Sequence, residues 1–204
     1  MPARPLISIT RKNTLASKLA LQLLKWSSQY FANPRLLLIK DYILGTRVLE
    51  VGLGMGTLAY NMSRAGYKVA GIDVDNTSLY KEFQPIIYNG FEFPLKNNSF
   101  DTVTIVCVLH HCKDQLAVLR ESMRVGKRVI VIEDTYRNRI EHFFVAFRDS
   151  FENWEWYKHQ YRSYDSWKKI CNNEGWKVKH IKSWSSVDFG ILYGHQTLFI
   201  IDKA

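Results

Sequence analysis

The first 40 residues contain no aspartate or glutamate. Against that absence stand Arg4, Arg11, Lys12, Lys18, Lys25, Arg35 and Lys40, so part of the formal net charge of +9 lies at the front of the chain. A basic front suits anionic partners such as nucleic acid, acidic lipid headgroups or phosphorylated substrates. It also suits simple solubility, and an acid-free start is compatible with an organellar transit peptide. Cysteine is scarce as well. Cys107, Cys112 and Cys171 are odd in number and show no C-x-x-C spacing, which argues against a disulfide framework and for reduced thiols in a cytoplasmic setting. No apolar run reaches the roughly 18 residues of a membrane span, so no transmembrane segment is expected. Internal repeats and low-complexity segments are missing too. What remains is a chain of 204 residues, 47% hydrophobic and 14% aromatic. That length suits one α/β domain, and that composition is too apolar for disorder.

The most informative stretch is Val48-Leu49-Glu50-Val51-Gly52-Leu53-Gly54-Met55-Gly56, with Asp73 at the end of the next apolar run. It reads as a buried strand, a turn of alternating glycines and a helix starting near Thr57. Glycine lets a ligand approach the main chain closely, and the following helix start offers free N–H groups. A dinucleotide fingerprint needs its third glycine one place later, where Thr57 stands. No Gly-Lys-Ser/Thr follows, which excludes a phosphate-cradling P-loop. The residues alone leave open a generic strand-to-helix turn or a nucleoside-cofactor site.

Alternation of apolar strands and amphipathic helices continues to the end. Strands are predicted at 46–51, 67–72, 86–89, 101–107, 127–133, 176–184 and 195–202, and helices at 57–65, 76–83, 114–123 and 164–174. Continuous apolar strands mean a parallel sheet covered on both faces. The last two strands are joined by a loop at 185–194, so the final one is expected to be antiparallel. Ahead of them, Asn13 or Thr14 caps a helix to about Phe31 with Leu15, Leu19, Leu23 and Trp26 along one face. Asn33-Pro34 restarts a second helix that Gly45 ends. Residues 1–45 thus read as a basic arm and helical extension, and 46–204 as the main domain.

The acidic-x-Gly-x-Gly-x-Gly pattern at Glu50–Gly56 resembles the first motif of class I S-adenosylmethionine-dependent methyltransferases. Two further stretches share that resemblance. Asn89-Gly90 through Pro94-Leu95, then Ser99-Phe100-Asp101, is similar to the family's D-A-x-x-L-P-F and S-F-D elements. Leu109-His110-His111 is similar to the L-H-H element of the group that includes the ubiquinone and menaquinone C-methyltransferases. The resemblance spans about 46–202. It implies a Rossmann-like sheet of seven mostly parallel strands with an antiparallel last strand and helices on both faces.

The resemblance also implies S-adenosyl-L-methionine as cofactor, over Gly52, Gly54 and Gly56. Asp73 would bind the ribose hydroxyls, Glu50 would orient the methionine part or pin the glycine loop, and Asn89 and Gly90 would face the adenine. Asn89 replaces the family's aspartate and keeps an acceptor oxygen without its charge. The backbone at Cys107 and Val108 would pass beside the cofactor, and Leu109 would pack on the adenine. Asp101 reads as structural.

His110 and His111 are candidates for a general base, because imidazole titrates near neutrality. Ordering of the loop by one of them is the simpler alternative. A metal site with Cys112 is disfavoured, since three consecutive residues rarely converge on one ion. Glu133, Tyr136 and Phe144 are candidate acceptor contacts at the sheet's carboxyl edge. The aromatic segment 135–162 reads as an amphipathic helix on the core, a lid, or both. The expected function is direct methyl transfer to a small-molecule or lipid-like acceptor. The alternatives are an RNA-modifying methyltransferase, with no appended RNA-binding module and no Asn-Pro-Pro-Tyr motif to support it, and a non-catalytic cofactor-binding protein.

Overall fold

The computed structural model describes residues 14–153, 159–188 and 192–203. The basic arm and Gly190 of the expected loop lie outside them, as do Trp154, Trp156 and Tyr157 of the aromatic segment. Strands β1 (Arg47–Val51), β2 (Lys68–Asp73), β3 (Ile86–Ile87), β4 (Phe100–Val106), β5 (Gly126–Asp134), β6 (Lys177–Asp188) and β7 (Leu192–Asp202) form one sheet. Its order is β3-β2-β1-β4-β5-β7-β6, and β7 runs antiparallel to both β5 and β6. The Rossmann-like architecture with a reversed last strand is therefore the one expected.

Among the described residues five helices cover the sheet: α1 (Leu15–Ile39), α2 (Thr57–Arg64), α3 (Gln115–Val125), α4 (Arg139–Asn153) and α5 (Tyr164–Asn173). Apolar side chains leave both faces of the central strands, which is why these strands read as unbroken hydrophobic runs. On one face Leu49, Val51, Val103, Ile105, Val129 and Val131 pack against α3 and α5, where Trp167 is fully buried. On the other, Val48, Ile130, Ile132 and Leu198 meet Leu58 and Met62 of α2 and Ala32 and Ile39 of α1. No helix among the described residues is long and apolar enough to cross a membrane.

Two local expectations fail. Pro34 does not restart the chain: α1 runs through it from a Thr14 cap, and a 3-10 turn follows at Lys40–Tyr42. Proline lacks the N–H that a helix interior uses. Here neighbouring side chains hold the turn. Asn33 accepts from Asn61 of α2 at 2.9 Å, and Arg35 donates to the Phe31 carbonyl at 3.0 Å. The helix expected at 76–83 is a series of turns. Asn76, whose oxygen accepts from the Ser78 N–H, and Ser78, which accepts from the Tyr80 N–H, spend their side chains on local backbone bonds that compete with a helix. Leu15, Leu19, Leu23 and Trp26 do share one face of α1, and that face is 52% to 77% exposed and lies off the core.

Candidate active site

The carboxyl edge of β1, β2 and β4 gathers most of the cofactor residues expected from the sequence. The turn after β1 is anchored to β2: the N–H groups of Gly52 and Leu53 both donate to the Ile72 carbonyl, at 2.8 and 3.2 Å. Gly52, Gly54 and Gly56 all have positive φ, at 72°, 52° and 75°. Their surroundings differ. A Cβ on Gly52 would lie 2.4 Å from Val108 Cγ2, and one on Gly56 2.7 Å from Ser78 Oγ. Those two let chain pack against chain. A Cβ on Gly54 would meet nothing closer than the Gly52 carbonyl oxygen at 3.9 Å. Gly54 therefore presents bare backbone to open space, the condition for a ligand to approach closely.

Asp73 closes this loop from below. Its Oδ2 accepts from the Gly54 N–H at 2.8 Å, and its Oδ1 accepts from the Val74 N–H at 2.7 Å. Burial raises its pKa, and these backbone bonds oppose the rise. Glu50 is more extreme. It is 5% exposed, and its Oε2 has no hydrogen-bond partner among the described residues. Burial pushes its pKa up to about 8, against a hydrogen bond from the Ala59 N–H and with help from the Asp73 charge. A buried carboxyl oxygen without a donor is costly unless something supplies one. These features fit a ligand with a cationic amine and a ribose, and the methionine amine and ribose of S-adenosylmethionine supply both.

The segment expected to face the adenine is shaped by Asn89 itself. Asn89 Oδ1 already accepts from the Phe91 and Glu92 N–H groups, at 2.9 and 2.8 Å. Both lone pairs are used to shape the loop, so the oxygen is not waiting for an adenine amine. Gly90 has φ 89°, and a Cβ there would be 3.7 Å from Val74 Cγ1. Val74 is 50% exposed and offers an apolar surface for a flat ring. Its signal in the sequence was an apolar residue directly after Asp73. Leu109 is fully buried in the core with Tyr88 and Phe93 and presents no surface to a ring.

Cys107 takes φ 54° where β4 ends, a left-handed conformation uncommon outside glycine. Its N–H is held by the Ile132 carbonyl at 2.8 Å, and its thiol, with its pKa pushed up to about 11 by burial, takes a donor from Gln196. The turn that follows brings His110 onto Glu133. Their Nδ1 and Oε1 are in direct contact, and both side chains are about 1% exposed. Glu133 also accepts from the Leu109 N–H at 2.7 Å and the Asp134 N–H at 3.0 Å. It is fully buried and faces no acceptor, so its place is behind His110. A carboxylate on one imidazole nitrogen fixes the ring's orientation and tautomer.

Other rings pack around this pair. Tyr161 stacks on His110 with centroids 5.3 Å apart, and His111 Nδ1 lies 3.2 Å from His159 Nε2. His159 Nδ1 lies 3.1 Å from the Tyr161 hydroxyl. Gln115 staples the assembly by donating to the Leu109 carbonyl at 3.1 Å and the Gln160 carbonyl at 2.5 Å. His159 and Gln115 escaped sequence reasoning because nothing local marks them. Among the described residues no cluster of His, Cys, Asp or Glu is arranged to hold a metal.

Tyr136 packs on His142, with centroids 4.7 Å apart, and lines a cleft of about 490 Å³ with Tyr164, Trp184, His195 and Thr197. Phe144 lies elsewhere, 43% exposed on the outer side of α4. Asp134 is ion-paired at 2.6 Å to Arg148 of α4 and accepts from Gln196 at 3.0 Å.

Residues 49–129 match the family model described as a methyltransferase domain. A ubiquinone biosynthesis O-methyltransferase of Hahella chejuensis is 32% identical over 94 residues, which cover 41% of this chain and 40% of that one. The chain thus matches about two fifths of the length of that curated relative. Among solved structures, a SAM-dependent methyltransferase of Thermotoga maritima aligns with TM-score 0.64 at 15% identity, over 88% of this chain and 94% of that one. The YcgJ protein of Bacillus subtilis aligns with TM-score 0.63 at 16% identity, over 78% and 92%. These two likenesses are of fold.

Proposed function

We propose that this chain, which belongs to the class I S-adenosylmethionine-dependent methyltransferase superfamily, transfers a methyl group to a small-molecule or lipid-like acceptor bearing an ionisable hydroxyl or amine. The carrying observation is the Gly54 cradle, open above Asp73 and flanked by the unpartnered Glu50 oxygen. In this reading residues 46–204 are the catalytic domain, 1–45 an extension and 135–162 a wall over the acceptor. The curated relative named for an O-methyltransferase of ubiquinone biosynthesis supports a hydroxylated, lipid-like acceptor.

Bound S-adenosylmethionine supplies a methyl on a sulfonium, with a leaving group that needs no proton. The chain's task is then mostly alignment. Asp73 holds the ribose while it fixes Gly54. Glu50 receives the amine. Val74 and Gly90 border the base, in place of the Asn89 oxygen. The left-handed turn at Cys107 carries the backbone past the cofactor toward His110. Glu133 holds His110, and this buried pair orders the loop after β4 beside the cofactor, while Tyr136 borders the acceptor's cleft.

Calorimetry with S-adenosylhomocysteine tests the cofactor half, and failure of the wild type to bind would end the proposal. The His110–Glu133 pair is tested separately. His110→Ala loosens the loop that carries the backbone past the cofactor, so it should weaken S-adenosylhomocysteine binding and slow methyl transfer together, each by about tenfold. Binding and turnover unchanged in His110→Ala would remove the pair from the site.

A further inference from the structure

Helix α1 is apolar on two sides. Its inner side packs on the protein: Ser17, Ser28, Ala32 and Ile39 are buried, Leu21 and Leu24 pack beside Leu79 and Tyr80, and Ser28 bonds Thr57 of α2 at 2.7 Å. The outer side is apolar as well. Leu15, Leu23, Trp26, Tyr30 and Leu37 are 64% to 77% exposed, and Leu19 is 52% exposed. At about 100° per residue these six fall in one arc of roughly 80°, opposite Ser17 and Ser28. Such a contiguous apolar stripe is not ordinary solvent-facing surface.

Helix α4 repeats the feature over the same sheet face. Ile140 and Phe143 are 70% and 64% exposed, with Phe144 and Phe147 beside them at 43% and 45%. The two helices are tied at the carboxyl edge of the sheet. Arg35 of α1 donates to the Cys107 thiol at 3.7 Å, Gln196 donates to that thiol at 3.3 Å and to Asp134 at 3.0 Å, and Asp134 holds Arg148 of α4. Both outer surfaces therefore point away from the same sheet face, next to the candidate active site.

Charge selects the occupant. No aspartate or glutamate occurs between Leu15 and Ile39, while Lys18 and Lys25 border one side of the stripe, Lys25 over the Tyr80 ring at 4.3 Å, and Arg11 and Lys12 precede the helix in sequence. Two copies meeting through this stripe would bring like charges together with no acidic partner on the helix. An anionic bilayer surface complements it. Leucines and aromatic rings enter the acyl boundary, Trp26 and Tyr30 suit the headgroup depth, and the lysines reach phosphates. We infer that α1, aided by the outer face of α4, docks the protein in-plane on anionic lipid. This inference does not depend on methyl transfer, because docking needs no cofactor.

The test is co-sedimentation of the full chain with phosphatidylcholine vesicles, with and without phosphatidylglycerol. The wild type should sediment with the anionic vesicles and be released by salt. Leu19→Gln/Leu23→Gln/Trp26→Gln should weaken that binding at least about tenfold with an unchanged circular-dichroism spectrum. Lys18→Glu/Lys25→Glu should abolish the preference for phosphatidylglycerol. Absence of wild-type binding, or equal binding by the triple variant, overturns the inference. So does a dimer in light scattering that the triple variant dissolves, which would assign the stripe to a second copy.

Discussion

Asp73→Ala should weaken S-adenosylhomocysteine binding by about a hundredfold, the equivalent of roughly 3 kcal/mol for losing charge-assisted hydrogen bonds. The expectation rests on a double duty. One oxygen fixes the Gly54 N–H at 2.8 Å and the other the Val74 N–H at 2.7 Å, so the carboxylate sets the floor of the cradle. Oδ1 also accepts from the Asp75 N–H at 3.4 Å, so Oδ2 is the oxygen that keeps acceptor capacity for a ribose hydroxyl. Loss of either duty would weaken binding, and a deoxyribose analogue of the ligand separates them. If Asp73 bonds the hydroxyl, the analogue binds the wild type more weakly than the parent ligand does, and Asp73→Ala does not discriminate between the two. If Asp73 only pins the loop, both proteins discriminate alike. Equal affinity of wild type and Asp73→Ala for the parent ligand would remove the residue from the site.

The parts legible in the sequence are those fixed by local physics. Buried parallel strands must be apolar on both faces, so β1, β4 and β5 stood out as runs. Alternating glycines before a helix start marked the one turn where backbone faces open space. Illegible parts required knowledge of neighbours. The spacing of Leu15, Leu19, Leu23 and Trp26 establishes that they share a face; it does not say which face the sheet covers. Pro34 reads as a helix start because the Asn61 bond that braces its turn comes from another helix. Glu133 looked like an acceptor contact because it ends a strand at the right edge. Only the fold shows His110 and the Leu109 N–H standing in front of it. The same holds for Asn89, whose oxygen is spent on its own loop.

Glu50 makes the stability of the ligand-free protein fall as pH rises. Its folded pKa stands at about 8 against an ordinary 4.5. Between those values the folded protein keeps a proton that the unfolded chain has shed, so stability is lost through that window at roughly 1.4 kcal/mol per pH unit. The upper bound is roughly 5 kcal/mol, largest at pH 8 and above. Denaturation across that range should show the slope, and Glu50→Gln should flatten it while keeping an acceptor for the Ala59 N–H. The same proton couples to the ligand. A cationic amine beside the unpartnered oxygen favours the carboxylate, so S-adenosylhomocysteine should expel the proton on binding below pH 8. Affinity should then rise by up to about tenfold per pH unit toward 8 and level off above it. Calorimetry in buffers of different protonation enthalpy counts that proton directly. In Glu50→Gln the count should drop to zero and the affinity should no longer follow pH. A pH dependence unchanged by Glu50→Gln would place the proton, and the amine, somewhere else.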